Sequence, residues 1–416
     1  MKILHISTSD RVGGAAIAAY RMNEAMNDYG IESHLLVMNK TTSGPMLFSI
    51  SDGRGRFFKI LYNLCYSFSF HLKKNVLHPR GLFSLGCFHS YHLTHFEEVQ
   101  NADIIYVHWI NNFFLGVREL ERILSLGKPV VFFMHDMWLL TGGCHHAFSC
   151  NGFQFSCAKC PNIGRDSVNF IAKYILQKKK RLASYDNIYL MSPSQWMDGC
   201  VKESVLFGNR KRVVVPNTLN VSRFSFIDKS IARRVLGLPL DKQLILFAAD
   251  GGTNNEYKGW HLLKDALMQI NKSDIGLMIL GNHLSSQESS MIPHSVYSLG
   301  KIVDECSLAL LYSAANIYVT SALVESFGQT IVEAQACGTL VVGFNTGGIP
   351  DIITHKVTGY LAKPGDVVDL KNGILWALSN CEKKSVKMAL QDSVRCKFSY
   401  ETVVKLHVNF WSEIIN

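Results

Sequence analysis

The sequence predicts an α/β protein built from two doubly wound domains, and three observations carry this prediction. Its 416 residues are too many for a single hydrophobic core of ordinary size. Apolar strands alternate with amphipathic helices in both halves, as in Rossmann-like domains. Residues 1–215 contain 24 Lys+Arg against 15 Asp+Glu, whereas residues 216–416 contain 18 of each. We therefore place the domains at 1–220 and 221–399 and expect helix 400–416 to pack back on the first.

The composition is that of a folded, soluble protein, with 48% hydrophobic and 18% charged residues. No apolar run reaches the roughly 18 residues of a membrane-spanning helix. Residues 1–7 have no long apolar region of a signal peptide and are interpreted as a first buried strand. We expect a cytoplasmic protein, in which the 11 cysteines are reduced thiols or metal ligands rather than disulfides.

The first domain opens as a β-loop-α-β unit. A strand over 2–7 leads to Gly13-Gly14, a helix with apolar residues at helical spacing follows, and 33–38 forms the next strand. The two glycines would let a ligand approach the backbone, although tight turns use the same pair without a ligand. Because the pattern is not G-x-G-x-x-G, a dinucleotide is not indicated.

Basic and aromatic residues are interleaved over residues 54–95. The basic ones are Arg54, Arg56, Lys59, Lys73, Lys74 and Arg80. This alternation predicts peripheral contact with an anionic membrane surface, and an insertion that packs on its own domain is the alternative. No RNA- or DNA-binding motif accompanies the charge, so nucleic acid is not an expected partner.

A predicted strand over 129–134 ends at His135-Asp136. A histidine at the carboxyl end of a buried parallel strand would project to where ligands bind in α/β sheets. A hydrogen-bonded core histidine is the alternative interpretation.

Four cysteines follow within one stretch, and two histidines adjoin the first of them. The cysteines are Cys144, Cys150, Cys157 and Cys160. The C-x2-C pair with two further thiols suggests a structural zinc site that ties down a loop. Reduced, packed thiols are the alternative.

The first half closes with a basic helix over 168–184, a strand over 188–192, and a strand and turn over 212–217. The second half repeats the alternation, with strands predicted at 243–249, 275–281, 316–320 and 339–344 and helices between them. Lys258 precedes one helix and would place a cation on a diphosphate, unless it is an ordinary surface lysine.

The segment Glu325-Ser-Phe-Gly-Gln-Thr-Ile-Val-Glu333 carries two carboxylates eight residues apart. Ser326 and Gln329 have the spacing of a capping box, and Gly338 is the expected helix stop. A regular helix would separate the carboxylates by about 12 Å. That is too far for an acid/base pair flanking one bond, and it favours a long ligand such as a nucleoside diphosphate sugar.

These motifs together resemble the family 4 retaining glycosyltransferases (GT4) of the GT-B fold, two Rossmann-like domains facing each other across a cleft. The matching stretches are Gly13-Gly14, His135-Asp136, Ser192-Pro-Ser194, Val215-Pro-Asn217, Tyr257-Lys-Gly259, Glu325 to Glu333, and Gly347-Gly-Ile-Pro350. Thr141-Gly-Gly-Cys-His145 is similar to a subgroup that builds bacterial surface polysaccharides, such as colanic acid, O-antigen and capsule.

The resemblance implies a role for each matched residue. Glu333 would bind the ribose hydroxyls of a nucleotide-sugar donor, and Lys258 would neutralise its leaving diphosphate. His135, Lys258 and Glu325 are the expected catalytic residues. The donor would also contact Gly14, Ser326, Phe327, Gly328, Gln329 and Thr330, and the acceptor side would include Gly13, His135 and Asp136. The family's Arg before the Lys has no counterpart in 250–258.

The expected reaction is metal-independent transfer of a sugar, with retention of configuration, to a saccharide acceptor that is polyprenyl-pyrophosphate-linked. The sequence has no Asp-x-Asp that would hold a metal, and it offers Lys258 and the amides near Gly328 instead. No cofactor is expected for catalysis. Two alternatives stay open: a nucleotide-sugar epimerase of the same fold, and a non-catalytic saccharide-binding homologue.

Overall fold

The computed structural model describes residues 1–51, 64, 67, 77, 79, 81–86, 91–164, 168–248, 256–281, 284 and 286–415. All six basic residues of the predicted membrane segment, and the glycine loop at 250–253, lie outside the described residues. The chain divides into two compact units. Unit 1 comprises residues 1–216 and 404–416, and unit 2 comprises residues 217–403.

Unit 1 contains a seven-stranded parallel sheet with strand order β3-β2-β1-β4-β5-β6-β7. Its strands are β1 (Lys2–Ser9), β2 (Glu32–Asn39), β3 (Leu47–Ser49), β4 (Ile104–Val107), β5 (Val130–Phe133), β6 (Ile188–Ser192) and β7 (Arg212–Val214). Its helices are α1 (Gly14–Asp28), α2 (Glu97–Asn101), α3 (Val117–Leu124), α4 (Phe170–Lys180) and α5 (Gln195–Glu203). The central strands are buried almost throughout, as expected for a parallel sheet covered on both faces.

Unit 2 contains a six-stranded parallel sheet with strand order β10-β9-β8-β11-β12-β13. Its strands are β8 (Gln243–Ala248), β9 (Ile275–Leu280), β10 (Ser295–Ser298), β11 (Ile317–Thr320), β12 (Leu340–Phe344) and β13 (Gly359–Ala362). Its helices are α6 (Lys229–Leu236), α7 (Trp260–Met268), α8 (Ser286–Ser290), α9 (Glu305–Ala314), α10 (Gln329–Ala336), α11 (Ile349–Ile352), α12 (Val367–Asn380) and α13 (Lys384–Phe398).

The last helix, α14 (Tyr400–Trp411), begins in unit 2 and ends in unit 1. Its final turns pack on the unit 1 sheet through buried polar contacts. The Trp411 indole donates a hydrogen bond to the Tyr106 hydroxyl at 2.7 Å, and that hydroxyl lies 2.9 Å from His407 Nδ1. All three side chains are fully buried, so these hydrogen bonds fix the position of the helix end.

The predicted helix after Glu325 differs from the observed one in how it starts. Gly328, at φ +113°, is the N-cap of α10, and no side chain caps the helix. The predicted capping box of Ser326 and Gln329 is therefore wrong. The chain turns at Gly328 with a positive φ that only a residue without a Cβ adopts easily. Glu325 lies in the loop before the helix, so a helical spacing of the two carboxylates does not apply. Gly338, at φ +76°, follows the C-cap Cys337 and ends the helix as predicted.

Candidate functional site

Lys258 and Glu325 come together in unit 2, although 67 residues separate them in the chain. The Lys258 ammonium donates to the Glu325 carboxylate at 2.8 Å, and the two side chains are 30% and 24% exposed. Each residue lies beyond the carboxyl end of a strand, β8 for Lys258 and β11 for Glu325. In parallel α/β sheets this is the edge where ligands bind.

Backbone hydrogen bonds hold these loops against one another. The Leu323 amide donates to the Tyr257 carbonyl at 2.8 Å, and the Ser321 hydroxyl donates to the Lys258 carbonyl at 2.9 Å. From the loop after β12, the Gly348 amide donates to the Glu325 carbonyl at 2.8 Å. The ion pair is thus supported by three connected loops, so its geometry is set by the fold.

Gly259 is required by this arrangement for two reasons. Its φ is +65°, and a Cβ built on it would lie 2.0 Å from the Ser321 carbonyl oxygen. Gly237 is a matched control because it also has φ +65° but would place a Cβ with nothing within 4 Å. Alanine at Gly237 should cost about 1 kcal/mol from the left-handed backbone alone.

We expect Gly259→Ala to lower the free energy of unfolding by at least about 2 kcal/mol more than Gly237→Ala, because the carbonyl must also be displaced. Urea unfolding of the two variants measures this difference. Equal losses would show that the Lys258 loop moves away from Ser321 without cost.

Glu333 lies in α10 and is buried, with 5% of its surface exposed. The hydroxyl of Tyr312, on α9, donates to Glu333 Oε2 at 2.8 Å. Burial raises the pKa of Tyr312 well above its ordinary value, and the neighbouring Glu333 raises it further. The hydroxyl therefore keeps its proton and orients the carboxylate.

The residues between the two carboxylates form the turn into α10. Phe327 is buried and meets Phe398 edge-on, with ring centroids 5.7 Å apart. Thr330 accepts a hydrogen bond from the Tyr318 hydroxyl at 3.0 Å. Gln329 is the first residue of the helix. These contacts anchor the turn, so the amides of the first helical turn are held at the amino end of α10.

In unit 1, Gly13 and Gly14 start α1. Gly13 has φ +89°, and a Cβ built on it would meet nothing within 4 Å. The carboxyl ends of β4 and β5 border a pocket lined mainly by residues 107–111 and 132–136. His135 and Asp136 both line this pocket, so the structure places them together at the predicted edge of the sheet.

The Asp136 carboxylate contacts two groups of unit 1. Its carboxylate lies 2.5 Å from His145 Nδ1 and accepts a hydrogen bond from the Trp138 amide at 2.7 Å. Burial alone would raise the pKa of Asp136, but His145 and the amide outweigh it and the net pKa is lowered. The carboxylate is therefore ionised, and it positions the loop that follows β5.

Two buried histidines connected to His135 were not predicted from the sequence. His108 Nδ1 lies 2.9 Å from His135 Nε2, and His108 Nε2 lies 2.9 Å from His5 Nδ1. Burial lowers the pKa of His135 to about 4 and that of His5 to about 3. Burial also places the pKa of His108 well below its ordinary value. In the sequence, the only sign of His5 and His108 as site residues is that each is a single histidine in or next to an apolar strand.

These depressed pKa values make stability depend on pH. Burial lowers the pKa of His407 to about 3, whereas the unfolded side chain titrates near 6.5. Its contribution to stability is present above the unfolded pKa and is lost as pH falls towards the folded pKa. Between about pH 6 and 4, each such histidine should add about 1.4 kcal/mol per pH unit to the slope of the free energy of unfolding against pH.

We therefore expect the free energy of unfolding of His407→Phe to fall less steeply below pH 6 than that of the wild-type protein. Urea unfolding at several pH values measures both slopes. Parallel curves would contradict burial of a neutral His407.

The four cysteines of the predicted zinc site are Cys144, Cys150, Cys157 and Cys160. Amides of Gly142 and Gly152 donate to Cys157 Sγ and Cys150 Sγ, each at 3.3 Å. In the described parts of the chain, no group of three or more His, Cys, Asp or Glu side chains is placed to hold a metal ion. The structural zinc site therefore stays a prediction.

None of the helices in the described ranges combines the length and the apolar character needed to cross a membrane.

The family model for the glycosyl transferases group 1 matches residues 228–389, which lie within unit 2 and include Lys258, Glu325 and Glu333. The chain is 30% identical over 162 residues to a D-inositol 3-phosphate glycosyltransferase of Segniliparus rotundus, covering 36% of this chain and 35% of the relative. It is 25% identical over 345 residues to an uncharacterized glycosyltransferase of Methanocaldococcus jannaschii, covering 77% and 87% of the two chains. A lipopolysaccharide 1,2-N-acetylglucosaminetransferase of Salmonella typhimurium is 26% identical over 208 residues, with 46% and 54% covered.

Solved structures match the whole chain. Sucrose-phosphate synthase from Thermosynechococcus elongatus superimposes with a TM-score of 0.66 at 17% identity, covering 100% of this chain and 99% of that one. Anabaena HepE, solved in complex with UDP-glucose, gives a TM-score of 0.63 at 18% identity, covering 99% and 100%. The fold is therefore GT-B, with two Rossmann-like units, as the sequence predicts.

Proposed function

We propose that the protein is a glycosyltransferase that moves a sugar from a nucleotide-sugar donor to a saccharide acceptor. One observation carries this proposal: unit 2 joins Lys258 and Glu325 in an ion pair beyond the carboxyl ends of two strands, and the helix that follows Glu325 holds the buried Glu333. The Lys258–Glu325 ion pair and the Tyr312–Glu333 hydrogen bond are both 2.8 Å long. The same segment matches the family model, which supports the proposal independently.

The proposed donor is a nucleoside diphosphate sugar. Glu333 has the buried, oriented carboxylate that two ribose hydroxyls would need as an acceptor. Lys258 would stabilise the diphosphate as its bond to the sugar breaks, and its present partner Glu325 would then be available to a sugar hydroxyl. HepE binds UDP-glucose in its own crystals, which makes UDP-glucose the first probe to use.

The proposed transfer is metal-independent, of the GT4 hexosyltransferase class, and retains the anomeric configuration. The positive charge of Lys258 and the amides at the start of α10 would replace a metal at the diphosphate. Bond making at the sugar would occur without a protein nucleophile, because the diphosphate leaves and the acceptor hydroxyl attacks the same face.

The proposed acceptor belongs to bacterial surface polysaccharide synthesis and is a polyprenyl-pyrophosphate-linked saccharide at the inner face of the cytoplasmic membrane. A lipopolysaccharide glycosyltransferase is among the relatives. Within unit 1, α4 presents Phe170 and Tyr174 to solvent at 66% and 52% exposure, and Lys173 and Lys180 of the same helix are also exposed. An exposed aromatic and basic helix suits an anionic membrane surface.

Release of nucleoside diphosphate tests the proposed reaction. The protein is incubated with UDP-glucose and other nucleotide sugars, with and without saccharide acceptors, in buffer containing EDTA. The proposal predicts release that requires an acceptor and persists in EDTA. Conversion of the donor to its epimer without an acceptor would instead show an epimerase, and no turnover with any donor would indicate a non-catalytic homologue.

A further inference from the structure

Two buried histidines and a half-buried one form a continuous hydrogen-bonded chain across the unit 1 sheet. His5 is on β1, and His108 and His135 follow β4 and β5. His5 pairs in register with Tyr106, and side chains two residues apart share a face, so His108 lies on the same face as His5. The rings of His108 and His135 stack with centroids 5.1 Å apart. We call His5, His108 and His135 the histidine chain.

The interior end of the histidine chain has a defined polarity. His5 Nε2 lies 3.3 Å from the sulfur of Met26, which is on α1 and fully buried. A thioether sulfur accepts a hydrogen bond but cannot donate one. The proton of His5 therefore belongs on Nε2, because the opposite tautomer would face the sulfur with a lone pair.

That choice propagates along the histidine chain because each ring is neutral. Burial lowers the pKa of all three histidines far below 7, so each carries one N–H. With His5 Nδ1 as an acceptor, His108 must donate from Nε2 and accept at Nδ1. His135 must then donate from Nε2 to His108, which leaves Nδ1 unprotonated.

The outer end of the histidine chain faces the pocket at the carboxyl ends of β4 and β5. His135 lines this pocket, and within the described residues its only ring hydrogen bond is the one from Nε2 to His108. Its Nδ1 is therefore the nitrogen left for a ligand.

We propose that His5, His108 and Met26 are positioning residues that hold His135 in the Nε2–H tautomer, so that its Nδ1 presents a lone pair to a hydroxyl of the substrate sugar. This inference rests on the proposed function for the identity of the ligand. A lone pair accepts from a hydroxyl and repels phosphate or carboxylate oxygens, so this pocket selects the sugar and not the diphosphate.

Nitrogen NMR of the 416-residue protein, labelled with ¹⁵N in its histidine rings, reads the tautomers directly and needs no ligand. The inference predicts that His5, His108 and His135 each carry the proton on Nε2. A proton on Nδ1 of His135 would overturn it. Met26→Leu removes the acceptor while conserving volume, and it should produce a Nδ1–H population at His135. An unchanged spectrum would overturn the role of Met26.

Calorimetric titration tests the link to the sugar. His108→Phe keeps a ring in the stack but breaks the histidine chain. It should weaken binding of the saccharide acceptor that supports turnover by the wild-type protein by about tenfold, the size of one lost hydrogen bond, and leave binding of the free nucleoside diphosphate unchanged. Equal weakening of both ligands would overturn the assignment to the sugar. If the wild-type protein binds no nucleotide sugar, the proposed function fails while the NMR result still decides the tautomer.

Discussion

Lys258→Ala is expected to lower kcat for sugar transfer by about 100- to 1,000-fold, the usual effect of removing one preorganised group that stabilises a leaving or developing anion. The structure gives the physical reason. The Lys258 ammonium is held 2.8 Å from Glu325 by loops that are themselves hydrogen-bonded to one another. On the proposed function, the positive charge would therefore already lie close to the diphosphate when the donor binds, and it would exchange its Glu325 partner for the diphosphate.

Steady-state kinetics of three variants measure this effect. Lys258→Arg keeps the charge and should retain more activity than Lys258→Ala. Lys272→Ala removes an exposed lysine of the same unit and should leave kcat unchanged. If Lys258→Ala and Lys272→Ala behave alike, the leaving diphosphate is stabilised elsewhere.

Glu333→Ala is expected to weaken binding of the nucleoside diphosphate by about 100-fold, because hydrogen bonds from two ribose hydroxyls to a buried carboxylate are charge-assisted. Tyr312→Phe removes only the hydroxyl that orients this carboxylate and should weaken binding by about fivefold. Isothermal titration of the nucleotide measures both effects.

Asp265→Asn supplies the matched control for the Glu333 series, since Asp265 is an exposed carboxylate of α7 in the same unit. Its affinity should equal that of the wild-type protein. Normal nucleotide binding by Glu333→Ala would mean that the carboxylate has a structural role within α10 and does not contact the ligand.

Much of the fold could be predicted because buried parallel strands are short apolar runs bounded by glycines and polar turns. The strand predicted over 188–192 has those bounds in the structure, and those of β8 and β12 differ by one residue. The weaker signals were missed. β10 is only partly buried, and α13, which packs on α10, follows α12 after a turn that no proline or glycine marks.

The sequence pattern singles out the residues of the candidate site, but it does not reveal the buried side chains that contact and orient them. The glycines and carboxylates of 325–333 form a recognisable sequence pattern, whereas Tyr312 is one aromatic residue in an apolar helix and gives no sign that it meets Glu333. His5 and His108 are similar, since His5 is buried within the apolar strand β1 and His108 is buried directly after the apolar strand β4. Pairing across the sheet, which brings residues 103 positions apart into contact, cannot be read from local sequence.

The choice of helix start shows how a local rule can mislead. Ser326 and Gln329 satisfy the spacing of a capping box, yet the chain uses Gly328 as the N-cap. The φ of +113° at this position, and the approach of the neighbouring loop through Gly348, fix the turn by tertiary contacts. Local propensity therefore predicts that a helix begins here but not the residue at which it begins.

Binding of nucleotide sugars tests the central claim most directly. Thermal unfolding of the wild-type protein and of Glu333→Ala is followed with UDP-, GDP- and dTDP-sugars at matched concentrations. A ligand that binds only the folded state raises the unfolding temperature, and at a fixed concentration a tighter ligand raises it more. We predict that sugars of one nucleotide stabilise the wild-type protein and that this shift is lost in Glu333→Ala. No shift with any nucleotide sugar, or an equal shift in both proteins, would contradict a donor site at Lys258, Glu325 and Glu333.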